Sequence, residues 1–460
     1  MSFLQNHRYG EALKDFRSVV DSYPASSVAD DAMLEIARYY FELSRDFGAA
    51  EQTIDQLVKK YPRGDVTPQA HVMLGRLLLA RSRARADAET ALASFERATR
   101  LFPESGIAPA AGYYSGEVLR LLGRPDEALE RYELVSASYP KDPWASRAML
   151  GAAAGLVADG RITPAMERLQ RVRLRFAGTP EADRALALNT ILYRLYVRAP
   201  ARPPYAFSNR VLTGSSGKLK DGIAIGIDRI GNVVFVNENA ALILNPSGGV
   251  LRSLTGTEPR GLFFDQDGRP ILTRKGNIVP DGAQPIVLSV PLPEGKPRAL
   301  EEIPGGAATA TGDLLVMDRK AHAVVKFSAA GKHLGTFATG DADRLAVDSF
   351  GNVAILDRDG KSIIVVDPDG RGARKIAASG YTPDEPVDLA FDALNHLYVL
   401  DRGRASVFIM TAGRTPKLLT TFSVPEKNPG SFPRARAFAL DEAGRLYIYD
   451  ERAERIQVYQ

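Results

Sequence analysis

Two repeat grammars, one after the other, constrain this chain more than any other feature. In the first two hundred residues, five segments close on an aromatic residue and usually a proline: SYP (22–24), KYP (60–62), LFP (101–103), SYP (138–140) and RFA (175–177). Counting back from each close, a small residue and two mostly apolar ones recur: Ala12/Phe16/Val19, Ala50/Ile54/Leu57, Ala91/Phe95/Ala98, Ala128/Tyr132/Val135 and Ala165/Leu169/Val172. Steps of four and then three put each trio on one helical face. Every such helix after the first follows another apolar-periodic helix with a small residue where the two must approach, such as Gly75 and Gly116. Units of this kind bury their apolar faces only by stacking.

The helix pair with Gly or Ala in its first helix, Ala-x3-Phe in its second and a closing Pro resembles the tetratricopeptide repeat. The signature alanines lie 37 to 41 residues apart, so the loops exceed the family minimum, and RSRARADAET (81–90) absorbs one excess. The expected domain is 1–198, an all-α solenoid. Its first repeat is truncated, because Met1 falls inside that repeat's missing first helix; either chain precedes it or the repeat is half built. A last helix, EADRALALNTILYRLYV (181–197), is expected to cap the array.

VRAPARPPYA (197–206) is Pro-rich and aperiodic, which marks a stiff linker at 199–206. Beyond it, short alternating runs with Gly, Asp and Pro turns take over. Their unit is an apolar run closing on Asp, then Gly or Asn three residues on, then Asp or Asn nine residues on. It fits Asp228/Gly231/Asn237, Asp348/Gly351/Asp357, Asp392/Asn395/Asp401 and Asp441/Gly444/Asp450, with degraded copies at Asp265/Gly268/Arg274 and Thr309/Gly312/Asp318. Six copies predict six radial sheets, a six-bladed β-propeller over 207–460. The turn residue needs φ > 0, and the Asp can accept bonds from turn amides. The pattern D-x-x-G-N-[VL]-x-V-x-D resembles NHL repeats. The sixth copy ends at RIQVYQ, three strands in, so the strand-like run at 207–213 is expected to complete it and remove two free edges.

A chain of 460 residues exceeds one hydrophobic core, in keeping with a multidomain α and β organisation. A net charge of +4 with no run of five basic residues gives no reason to expect duplex DNA. Cysteine is absent, which excludes disulfides and thiol chemistry and suits an oxidising compartment. The longest apolar run, VMLGRLLLA (72–80), is interrupted by Arg76 and too short to span a membrane, and the opening residues do not read as a signal peptide.

Six-bladed propellers resembling this one include gluconolactonase-like, strictosidine synthase-like and amidating-lyase-like enzymes, and that resemblance implies metal-binding carboxylates or histidines at the channel mouth. His7, His71, His322, His333 and His396 are scattered, with no HxxxH or HxH pair. DRDGKS (357–362) and DPDG (367–370) lack the remaining ligands of a calcium loop, and GSSGKLK (214–220) is not a phosphate-binding loop. No catalytic residue, metal or cofactor is expected.

Projecting the helical register places Glu35, Tyr39, Glu42, Arg76, Tyr113, Glu117, Arg120 and Arg147 in a groove lined by the first helices, a mixture suited to a peptide or protein partner. Trp144 opens a helix and is read as packing. On one propeller face, Arg260, Arg319, Arg344, Arg358, Arg402, Arg404, Arg434, Arg436 and Arg452 form a rim. Asp318, Asp357, Asp359, Asp401, Asp450 and Glu451 are interleaved with them, so local pairing is the expectation. The aromatic-Pro repeat endings resemble those of bacterial envelope repeat proteins, and the reading is a non-enzymatic interaction scaffold in a larger bacterial envelope assembly, with the periplasm as the setting this resemblance implies. The alternatives are a metal-dependent propeller hydrolase or lyase, and polyanion, nucleic-acid or glycan binding by the rim.

Overall fold

A computed structural model describes residues 9–26, 28–81, 85–199, 202–215, 217–255, 258–292, 295–309, 311–357, 359, 361–368, 370–413 and 415–460. The chain divides into two compact units, Met1–Ala177 and Gly178–Gln460. No helix among the described residues is long and apolar enough to cross a membrane.

The first unit is a tetratricopeptide-like stack of helices: α1 (Tyr9–Ser22), α2 (Ala29–Arg38), α3 (Phe47–Lys60), α4 (Thr67–Arg81), α5 (Arg85–Leu101), α6 (Ala108–Leu121), α7 (Pro125–Ser138), α8 (Pro143–Ala158) and α9 (Ile162–Arg175). Starts are set by local chemistry. Asp46 accepts from the Ala49 amide and Asp142 from the Trp144 amide, and Pro opens α7 and α8. The expected trios are buried in α3, α5, α7 and α9. In α1 only Ala12 is, because that helix packs chiefly against α2. The small residues act as sockets: a methyl added at Gly75 would meet Phe95 Cζ at 2.5 Å, and one at Gly116 would enter the Tyr132 ring.

The second unit holds six four-stranded antiparallel sheets at 222–255, 261–287, 306–339, 344–375, 386–423 and 435–459, the last taking its outer strand from Phe207–Leu212. The first strands of successive blades touch in a ring that returns from the sixth to the first. The sixth blade's outer strand pairs with Phe207 opposite Tyr459 and Leu212 opposite Ile456, and Ala206 and Gln460 exchange two backbone bonds of 3.0 Å. A two-stranded ribbon, Ser289–Val290 with Arg298–Ala299, follows the second blade. It brings Leu288, Leu300 and Ile303 into the core.

Each blade repeats one turn. Asp228 Oδ1 accepts from the Ile230 and Asn232 amides at 3.0 and 2.8 Å, and Asp265, Asp348, Asp392 and Asp441 do the same in their blades. In the degraded third copy Thr309 Oγ1 stands in, accepting from Asp313 at 3.1 Å. The turn residue is left-handed every time, with φ of 86° at Gly231 and 65° at Asn395.

The domain boundary differs from the sequence expectation of residue 198. Helix α10 (Pro180–Leu192) and the π-helical turn Tyr193–Arg198 belong to the second unit. Ile191 faces Gly444, Arg194 donates to the carbonyls of Ala443 and Gly444, and Tyr196 lies 2.9 Å from His396 Nε2. An apolar stripe of Ala185, Leu188, Ile191 and Leu192 has the same period whichever surface it meets, so periodicity alone assigned it to the array.

Candidate functional site

In the helical unit the eight projected groove residues fall into two clusters. Glu35, Tyr39 and Glu42, with Arg38, line a shallow cavity of about 100 Å³ closed on its other side by Ala12, Leu13 and Phe16 of α1. Tyr39 and Glu42 sit there because α2 runs on into a π-helical turn, Tyr39–Leu43, of the kind that often marks functional positions. Arg76 joins this cluster through Glu42 at 3.9 Å and lies over the Phe41 ring at 5.7 Å.

The second cluster is aromatic. Tyr113 of α6 packs on Tyr114, Tyr132 and Trp144 with centroid separations of 5.4, 6.0 and 5.3 Å. The Arg147 guanidinium lies 4.5 Å above Trp144. Beneath it, Arg120 pairs with Glu117 at 3.2 Å, and the Tyr132 hydroxyl donates to the other Glu117 oxygen. Burial, reinforced by the Glu117 charge, pushes the Tyr113 and Tyr132 phenols well above their ordinary value, so both are neutral donors at any physiological pH. Trp144, read as packing, is half-buried and forms the rim of this cluster with the exposed Arg147. An aromatic next to a helix-opening Pro and three residues before an Arg was the available signal.

On the propeller, the arginine rim is mostly committed, though not to the acids the sequence suggested. Arg319 pairs with Asp343 at 3.1 Å, Arg402 with Glu385 at 2.9 Å, Arg436 with Glu451 at 2.9 Å and Arg452 with Glu426 at 3.0 Å. Of the interleaved acids only Glu451 is among these partners. Asp401 and Asp450 are fully buried and hold backbone amides instead: Asp401 those of Asp384, Glu385 and Arg404, Asp450 those of Arg434 and Ala453. Asp318 takes the Ala321 amide and pairs with Arg298. In Asp401 and Asp450 the carboxylate closing strand two reaches back to the loop that enters strand one. Arg260, Arg404 and Arg434 are exposed, and none of their side chains is ion-paired among the described residues. Arg358 lies outside the described residues. Arg434, Glu451 and Arg452 line an open cavity of about 360 Å³.

Arg344 stands apart. From the inner strand of the fourth blade it reaches the Ile223 carbonyl of the first at 3.2 Å, its own neighbour Asp343 O at 2.9 Å, and the Asp388 carboxylate of the fifth at 3.5 Å. Asp388 also accepts from the Leu389 amide and, on the sixth blade, from that of Phe438, both at 3.0 Å. Burial pushes the Asp388 carboxyl up, and Arg344 and the two amides pull against it. Four blades are thereby tied across the channel. Sequence reasoning missed Asp388; its signal was an acid at an inward position of the strand PVDLAF.

Among the described residues, the one trio of carboxylates close enough to share a cation is Asp30, Asp31 and Asp65, in the helical unit, with oxygens within 4.8 Å of one another. Burial and its two neighbours push Asp31 up.

Residues 1–141 match the model of a family described as YfiO, outer membrane lipoprotein. No curated protein matches the chain. Solved structures similar to it include a streptogramin B lyase (11% identity, TM-score 0.42, 56% of this chain and 97% of that one). A gluconolactonase from Xanthomonas campestris is similar too (14% identity, TM-score 0.42, 53% and 86%), as is MamA (17% identity, TM-score 0.32, 38% and 92%).

Proposed function

We propose that this chain is a non-enzymatic protein–protein interaction scaffold within a larger bacterial envelope assembly, in which the helical unit takes a peptide or protein segment and an NHL-like propeller offers a second docking face. The observation that carries this reading is the engagement of Asp388, of the strand-closing carboxylates and of four of the rim arginines. Asp388 is bound by Arg344 and two amides, Asp401 and Asp450 by amides, and four rim arginines by acids. A hydrolase or lyase needs carboxylates or histidines free to hold a metal or move a proton. Tyr113, Trp144 and Arg147 favour the helical unit for the primary contact, since aromatic and Arg side chains dominate binding energy at interfaces. The family matched by residues 1–141, described as an outer membrane lipoprotein, supports the envelope setting and the periplasmic preference.

The test is retention of envelope-fraction proteins by the immobilised chain, comparing wild type with Trp144→Ala/Arg147→Glu and with Arg404→Glu/Arg434→Glu. A partner lost with the first pair and kept with the second supports the groove. Turnover of a lactone or an ester by the purified chain, abolished by Asp388→Asn, would replace this reading with the enzymatic one.

A further inference from the structure

Helix α9 with its N-cap carries five arginines, Arg161, Arg168, Arg171, Arg173 and Arg175, against a single acid, Glu167. Arg161, Arg168, Arg171 and Arg175 follow one another at steps of seven, three and four, so they run along one flank of the helix. Arg168 is tied to Glu133 of α7, continuing a ladder in which Arg131 of α7 meets Glu96 of α5. Arg161, Arg171 and Arg175 are exposed, and none of them is ion-paired among the described residues. Between Arg173 and Arg175 stands Leu174, 74% exposed, more than any other large apolar side chain described in the helical unit.

We propose that this flank of α9 is a docking face for an anionic lipid surface. Cations near such a surface are attracted individually, and an exposed leucine beside them gains by entering the headgroup boundary. The apolar face of α9 is not free to insert, since Ala165, Leu169 and Val172 are fully buried in the array. The contact is therefore superficial: arginines on phosphates, one leucine as an anchor, reversible and weakened by salt. Nucleic acid is the poorer fit, because the aromatic at this end, the half-buried C-cap Phe176, already carries the Arg175 guanidinium over its ring at 5.7 Å. An acidic protein would satisfy the arginines and leave Leu174 unexplained. The proposal stands apart from the scaffold reading, since a chain with no protein partner would still bind lipid.

The experiment is co-sedimentation of the full chain with vesicles of phosphatidylcholine alone and of equal parts phosphatidylcholine and phosphatidylglycerol, at low salt. The wild type is expected to bind only the anionic vesicles. Arg171→Gln/Arg175→Gln is expected to bind about 30-fold more weakly, the equivalent of about 2 kcal/mol at about 1 kcal/mol for each arginine removed. Arg171→Lys/Arg175→Lys should bind like wild type, and Leu174→Asp should bind several-fold more weakly. Absence of wild-type binding to anionic vesicles overturns the proposal, and so does a glutamine variant that melts and binds like wild type. If Leu174→Asp binds normally while soluble polyglutamate competes as well as vesicles do, the face recognises acidic protein and the lipid assignment falls.

Discussion

Arg194 donates a hydrogen bond of 2.7 Å to the carbonyl oxygen of Gly444, the left-handed turn residue of the sixth blade. The same guanidinium reaches the Ala443 carbonyl at 3.3 Å and lies 4.6 Å above the Tyr205 ring. Arg194 is 6% exposed, so its charge is held by carbonyl dipoles and a ring face. Tyr205 donates to the same Gly444 oxygen at 2.8 Å and lies 3.0 Å from the Tyr398 hydroxyl, while burial pushes its phenol up to about 12. The segment before the first strand is thus fastened to the blade it closes.

Arg194→Ala is expected to lower the unfolding free energy by about 3 kcal/mol, combining charged hydrogen bonds of roughly 1.5–3 kcal/mol with the stacked ring. Arg194→Met keeps the aliphatic stem and should lose less. Denaturant unfolding followed by tyrosine fluorescence reads both; losses within about 0.5 kcal/mol, the range of ordinary surface changes, would show that the fastening contributes little.

Two helical glycines separate socket from propensity. Gly116→Ala pushes a methyl into the Tyr132 ring and should destabilise by about 1–3 kcal/mol. Gly155 of α8 has nothing within 4 Å of an added Cβ, so Gly155→Ala should stabilise by about 0.5–1 kcal/mol. Thermal melting of the two variants side by side is decisive: shifts of the same sign would remove the socket argument.

Asp401 holds three backbone amides at 2.7, 3.1 and 2.9 Å from a fully buried position. Asp401→Ala leaves those donors unsatisfied, and at roughly 1–3 kcal/mol for each buried group the fifth blade's entry loop should open. Amide exchange at Asp384, Glu385 and Arg404 should accelerate together in this variant. Protection retained at all three would mean that water or another group replaces the carboxylate.

The propeller turns were legible because Asp-x-x-Gly is local chemistry: acceptor, amides and left-handed residue lie within five positions. The closing strand was legible for a related reason, since a blade lacking one strand and a lone strand lacking a blade satisfy each other. The rim was not. Arg344 and Asp388 are 44 residues apart and meet only because two inner strands converge on one channel. Asp401 and Arg402 are adjacent in sequence yet bind different groups of one loop, Asp401 the backbone amides of Asp384 and Glu385 and Arg402 the Glu385 carboxylate. Two-residue strands such as Ser289–Val290 are too short for alternation to register. In the helical unit Tyr39 and Glu42 lie on a π-helical turn, a shift in phase at the end of α2 that a regular helical period does not anticipate.

His71 of α4 supplies a pH dependence. It is 3% exposed, its Nδ1 has no hydrogen-bond partner among the described residues, and its ring lies 6.5 Å from that of Phe102. Burial pushes its pKa below the ordinary 6.5, and the Arg97 charge pushes the same way. The unfolded chain therefore binds a proton at His71 that the folded chain resists. The resulting stability is fully present above pH 6.5, declines as the pH falls below that value, and is lost once the folded group itself is protonated. Replacing the imidazole with an apolar side chain of similar size removes this proton uptake. His71→Leu should then lose less melting temperature than wild type between neutral pH and a pH below the histidine range, with the two converging at high pH apart from a constant packing difference. Melting curves with parallel pH dependence would show that another group, not His71, governs the acid limb.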